Sequence, residues 1–177
     1  SRLECLVCSG ADAEGRRLTL SNRTERDRFI EVTSFGECVL SRDDSDIAHP
    51  LFSKMFVRTE IGPKGDTIYA TRNKRSPSDP DIVIAHLVAD SSQDGRETQA
   101  ETDRRAFIGR GRDITDPAAF DPGARLGGHD GYTMDPVFSL RRTLRVPAGK
   151  EVSITFWTIA APDREGLDRA VMHYRRA

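Results

Sequence analysis

The chain has 177 residues, 37% of them hydrophobic and 31% charged, which suits one domain with a real core and a well-solvated surface. A formal net charge of -1 and a pI near 6.4 exclude the basic footprint by which nucleic-acid binders neutralise phosphate. The clusters Arg104-Arg105, Arg110 and Arg112, and Arg141-Arg142 are interleaved with acids and lack an aromatic stacking series, so no nucleic-acid partner is expected.

No apolar run approaches the roughly 20 residues of a membrane-spanning helix. Ser1-Arg2-Leu3-Glu4 carries neither a signal-peptide core nor an initiator Met, which predicts a soluble segment cut from inside a longer chain. Three cysteines, an odd number, argue against a disulfide framework and for a reducing compartment. Cys5 and Cys8 form a lone C-x-x-C without the second ligand pair that zinc needs, and the turn Ser9-Gly10-Ala11-Asp12 offers no helix start for redox chemistry. They read as two small strand residues.

Period-two patterning dominates the chain from Arg16 onward. Arg16 to Leu20 alternates and breaks at the turn Ser21-Asn22-Arg23-Thr24. Phe29 to Leu40 predicts one long strand covered on both faces. Asp43 to Asp46 reads as a polar break, a solvated turn rather than a cation loop, because the Gly and distant Glu of an EF-hand are missing. Lys54 to Ile61 and Thr67 to Thr71 predict a hairpin around Gly62-Pro63-Lys64-Gly65-Asp66. Asn73 to Asp81 is a loop, and the apolar run Ile82 to Val88 a buried strand in which His86 is a satisfied core residue. Ser91 to Glu97 is polar and loop-like.

Asp103 predicts the cap of a short helix through Phe107, ended by Gly109 and Gly111. Asp116 to Phe120 reads as one helical turn with Pro117 at its start. Asp121 to Asp135 is a Gly-rich loop. Val137 to Val146 and Val152 to Ala160 predict two strands, the second returning on the first through the tight turn Pro147-Ala148-Gly149-Lys150. Asp163 caps a last helix whose Leu167, Val171 and Tyr174 share one face, with His173 exposed. About eight strands with short helical insertions predict an all-β, antiparallel two-sheet sandwich.

No catalytic constellation stands out: there is no facing carboxylate pair, nucleophile elbow, phosphate loop or metal set. Two segments are candidate binding loops. Gly109-Arg110-Gly111-Arg112 lets backbone approach a ligand while Arg110 and Arg112 grip phosphate or carboxylate. Gly127-Gly128-His129-Asp130-Gly131-Tyr132 holds an imidazole, a carboxylate and a ring of the kind that grips sugar hydroxyls and faces. His49 lies in a third segment of special composition. No metal or cofactor is expected.

These segments also carry a family resemblance. Arg16 to Thr24, Ile30 to Phe35 and Ala48 to Val57 resemble the β-sandwich domain of glycoside hydrolase family 94. So do Thr71-Arg72 with Arg75-Ser76-Pro77, Glu101 to Arg104 with Phe107 to Arg112, and Leu126-Gly127-Gly128 with Met134 to Arg141. Within the family the wording is nearest the phosphorylase-like region of cyclic β-1,2-glucan synthases. The resemblance implies a large sandwich of galactose-mutarotase type over residues 1–161, entered after the family domain's first strands. It implies that 162–177 starts a helical linker to an (α/α)6 catalytic domain that holds the general acid and the phosphate site. The implied parent is an inner-membrane enzyme that phosphorolyses linear β-1,2-glucan on the cytoplasmic side, with glucan, inorganic phosphate and a second subunit as partners. The segment would shape the active-site entrance and the subunit interface; an autonomous carbohydrate-binding module is the competing reading.

Overall fold

The computed structural model describes residues 1–176 except 75, 78, 80 and 91–96. In chain order the strands are β1 (Arg2–Val7), β2 (Ala13–Ser21), β3 (Arg28–Thr33), β4 (Gly36–Glu37), β5 (Val57–Ile61), β6 (Thr67–Arg72), β7 (Val83–Asp90), β8 (Thr98–Asp103), β9 (Pro136–Val146) and β10 (Glu151–Ala161). The helices are α1 (Asp43–Ala48), α2 (Pro50–Lys54), α3 (Arg104–Ile108) and α4 (Arg164–Tyr174), with a single 3-10 turn at Ala118–Phe120. One antiparallel sheet runs β1-β2-β10-β7-β6-β5; in the other, β9 is flanked by β8 on one edge and by β3 and β4 on the other. The two-sheet antiparallel sandwich is therefore as the patterning predicts.

Alternation builds the core. Ile68, Ala70, Val88, Ile154 and Phe156 of the large sheet face Ala100, Phe138, Leu140 and Leu144 of the small one. Each large side chain so buried contributes about 1.5–3 kcal/mol. His86 sits in this layer, stacked between the rings of Phe138 and Phe156. Its Nδ1 lies 3.0 Å from Thr158 Oγ1 and its Nε2 2.9 Å from Ser34 Oγ, so it is the satisfied core histidine expected. Burial first, and the charge of Arg16 second, lower its pKa to about 4.

Four expectations are corrected. The strand predicted over Phe29 to Leu40 is two strands in one register: Thr33 pairs with Arg141 and Gly36 with Phe138, both on β9. The ladder breaks between them because Ser34 Oγ replaces a backbone acceptor for Leu140 N (3.1 Å) while meeting His86. Asp43 to Asp46 is helical, not a turn, and the strand predicted from Lys54 begins at Val57. Residues 50–54 are helical because Lys54 is buried by its 2.8 Å bond to Asp135 and Arg72 donates to the Ser53 carbonyl.

The fourth correction concerns β10. It does not return on β9; it pairs with β2 and β7 in the opposite sheet. The turn at Pro147 to Lys150 is a corner between sheets. Asn22 fixes it, its Nδ2 donating to the carbonyls of Val146 (2.9 Å) and Pro147 (3.2 Å). Of the polar stretch 91–97, only Glu97 falls among the described residues.

Both sheets are covered outside. Leu167 and Val171 of α4 pack on Leu87, Trp157 and Ile159 of the large sheet, and the Tyr174 ring lies tilted 4.6 Å from that of Trp157. Asp163 caps α4 through Gly166 N (2.7 Å) as predicted. Residues 104–135 cover the small sheet, where Phe107, Ile108, Ala119 and Leu126 form a separate apolar cluster with Phe35.

Candidate functional site

The layer over the small sheet contains both candidate binding loops. Polar side chains hold it. The buried Arg141 guanidinium donates to Thr33 Oγ1 (3.0 Å) and to the carbonyls of Ala124 (3.0 Å) and Ala119 (2.5 Å). Gln99 Oε1 accepts from Leu126 N at 3.0 Å. Glu101 is fully buried, and its carboxylate takes four donors. Oε1 accepts from Thr102 N and Asp103 N, each at 2.9 Å; Oε2 accepts from Gly127 N at 3.0 Å and His129 Nδ1 at 2.8 Å. A buried carboxylate is tolerated when its lone pairs are filled in this way.

His129 is the exposed end of that arrangement: its side chain is 57% exposed while that of Glu101 is 1% exposed. The bond to Glu101, and then the charge of Glu101, raise its pKa above the ordinary imidazole value. Gly127 is required here. A Cβ on it would stand 2.6 Å from His129 Cε1 and 2.9 Å from Glu101 Oε2.

The rest of the loop is pinned to the edge of the large sheet. Thr59 and Gly131 exchange two backbone bonds of 2.8 Å, and Asp130 Oδ2 accepts from Ile61 N at 3.2 Å. Thr102 Oγ1 donates to the His129 carbonyl at 2.9 Å. Tyr132 exposes its ring, and its hydroxyl accepts from Asn73 Nδ2 at 2.8 Å. His129, Asp130 and Tyr132 therefore sit on one rigidly held segment.

The Gly-Arg segment divides. Arg110 is exposed and has no partner among the described residues. Arg112 is occupied, donating to the Asp116 carbonyl (2.7 Å) and to both Asp116 and Asp121 carboxylates (2.7–2.9 Å), so it closes its own loop. Gly109 turns at φ +88°, with Ala118 Cβ 2.8 Å from where its own Cβ would stand. His49 joins α1 to α2, its carbonyl accepting from Ser53 N at 2.9 Å. Its side chain is exposed beside Phe52, Arg72 and Lys74, and no described contact links it to the other candidates.

Glu101 and Arg141 are what the residue pattern missed as site residues. The signal was indirect: paired glycines before His129 mark a close approach, without naming the carboxylate approached. Chemically, a buried Glu101 with four donors cannot act as general acid on a glycosidic bond, which requires a carboxyl group reaching the leaving oxygen. No group of three or more metal-ligating side chains occurs among the described residues. Cys5, Cys8 and Cys38 are free thiols, and burial pushes Cys38 up to about 12. No helix among the described residues is long and apolar enough to cross a membrane.

Comparison with known proteins fits this geometry. A family model described as glycosyl hydrolase 94, supersandwich domain, matches residues 1–177. The cyclic beta-(1,2)-glucan synthase NdvB of Rhizobium meliloti (strain 1021) is 63% identical over 175 residues, 99% of this chain. The chain spans 6% of that relative's length. Matched by its residues from end to end, the chain belongs to the glycosyl hydrolase 94 supersandwich family.

Proposed function

We propose that the chain is the non-catalytic sandwich domain of a cyclic β-1,2-glucan synthase or related glycoside phosphorylase. It shapes the active-site entrance and the subunit interface while the chemistry resides elsewhere in the parent. The whole-chain similarity to a glucan synthase carries this reading. In it, residues 162–177 begin a linker to an (α/α)6 catalytic domain, and the domain works on the cytoplasmic side of an inner-membrane parent, where free thiols persist. The ligands of that parent are linear β-1,2-glucan and inorganic phosphate.

The exposed Arg110 and Tyr132 are the side chains assigned to the entrance. In the full parent, Arg110→Ala and Tyr132→Ala are expected to change phosphorolysis of linear β-1,2-glucan. Wild-type kinetics and assembly in both would overturn the entrance role. The exposed Tyr132 ring, held by Asn73 next to Asp130, also favours a second reading, an autonomous carbohydrate-binding module. Calorimetry of the chain with linear β-1,2-gluco-oligosaccharides decides it: no heat at millimolar sugar excludes the module.

A further inference from the structure

The pairing of a buried carboxylate with an exposed imidazole is not explained by fastening the loop. Backbone bonds already do that: Gly127 N on Glu101, Gly128 N on the Ala100 carbonyl (3.0 Å), and the double Thr59–Gly131 exchange. Glu101 has three backbone donors without His129. What the fourth bond adds is orientation. With Nδ1 held by Glu101, the ring is fixed and Nε2 has no partner among the described residues. Metal-bound and catalytic imidazoles are oriented through their second nitrogen in this way.

The charges around the ring indicate what it faces. Glu101 and Asp103, both from β8, are the carboxylates whose charges act on the His129 ring. An anion would meet these two like charges. A neutral polyol meets no such repulsion; its hydroxyls accept from Nε2–H of the protonated ring, and the next residue, Asp130, has only Oδ2 engaged, by Ile61 N. Two residues on, Tyr132 offers an exposed ring for a sugar face.

We infer that His129 is a sugar-hydroxyl donor on a β-glucan subsite and that Glu101 is its positioning residue. The inference rests on the proposed placement of this loop layer against glucan. The test is steady-state phosphorolysis in the full parent, with linear β-1,2-glucan and inorganic phosphate varied separately. His129→Asn keeps a donor toward Glu101 but removes the outward N–H. It is expected to raise the glucan KM about tenfold, the loss of one charge-assisted bond, with kcat and the phosphate KM within about twofold. Glu101→Gln is expected to raise the glucan KM in the same direction. His129→Gln, which restores an outward donor, is expected to recover part of the loss.

The wild-type glucan KM is also expected to titrate with the imidazole, and His129→Asn to abolish that titration. If Glu101→Gln fails to fold, the two His129 variants still decide. A wild-type glucan KM in His129→Asn, with altered kinetics in Arg110→Ala and Tyr132→Ala, overturns the inference and leaves the entrance reading standing. Wild-type kinetics in those two, with a raised glucan KM in His129→Asn, support the subsite and remove the broader entrance. An equal rise in the phosphate KM overturns the assignment to a neutral sugar.

Discussion

The two outer faces of the sandwich are covered by opposite means. On the large sheet a helix lays Leu167, Val171 and Tyr174 on Leu87, Trp157 and Ile159. On the small sheet Arg141, Gln99 and Glu101 reach out from the strands and seize backbone groups of residues 119–127. An apolar cover is held in proportion to the area it buries. A polar tether is held by a few bonds, each of which leaves a buried group stranded when cut. The first gives graded strength; the second fixes geometry on a segment with little regular structure.

Cutting the tether should have the largest effect. Arg141→Met strands the carbonyls of Ala119 and Ala124 and is expected to destabilise the chain by about 3–5 kcal/mol, with protease cleavage appearing first within 109–128. Denaturant unfolding and limited proteolysis check both parts; cleavage first in α4 would erase the contrast. Next, acid acts on the layer between the covers. His86 is held neutral with a pKa near 4, below its unfolded value of about 6.5, so stability falls as pH drops through that window. The loss by the lower end is on the order of 3 kcal/mol, and His86→Gln should flatten the curve.

Leu167→Ala is expected to cost about 2–3 kcal/mol and Leu167→Val less, the graded response of an apolar cover. Equal losses would show that α4 is also held by geometry. The smallest effect concerns His129. Its pKa is raised by Glu101, so its bond stabilises the folded state below the unfolded imidazole value and the gain is lost as pH rises through the folded one. The ring is largely exposed, and only a shallow decline is expected. Protection of the 127–131 amides from hydrogen exchange should persist through that decline, because backbone bonds fasten the loop, and α4 should stay unchanged.

The same contrast decides what was legible in the sequence. The helix announced itself: an Asp cap and three apolar residues on one face need no tertiary information. The run before Ala89 did the same for β7. β8 was silent because Thr98-Gln99-Ala100-Glu101-Thr102-Asp103 has no apolar alternation. Its outward positions are polar for tethering, and its inward ones are a small Ala100 flanked by Thr98 and Thr102. Without β8, Glu101 could not be set against His129, 28 residues away. His129, Asp130 and Tyr132 were nominated by composition, and the structure places them on one held segment. Arg112 and His49 were nominated on the same grounds and sit elsewhere, Arg112 engaged within its own loop. Sheet membership was illegible at the corner, because a four-residue turn has the same composition whether it joins two strands of one sheet or carries the chain across to another.

That corner sets the order in which the chain can assemble. β10 is the centre of the large sheet, pairing β2 on one side and β7 on the other. Ser21 and Glu151 are partners 130 residues apart. As the chain leaves the ribosome, the β1–β2 hairpin and the β5–β6–β7 meander each form locally, but no other described strand joins them until β10 has been synthesised. Such long-range pairing makes for slow folding, and the unpaired edges of β2 and β7 stay open meanwhile. β10, the latest in sequence of the described strands, is thus the one that joins the sheet, and a ribosome stalled before residue 151 would hold two unjoined pieces of it.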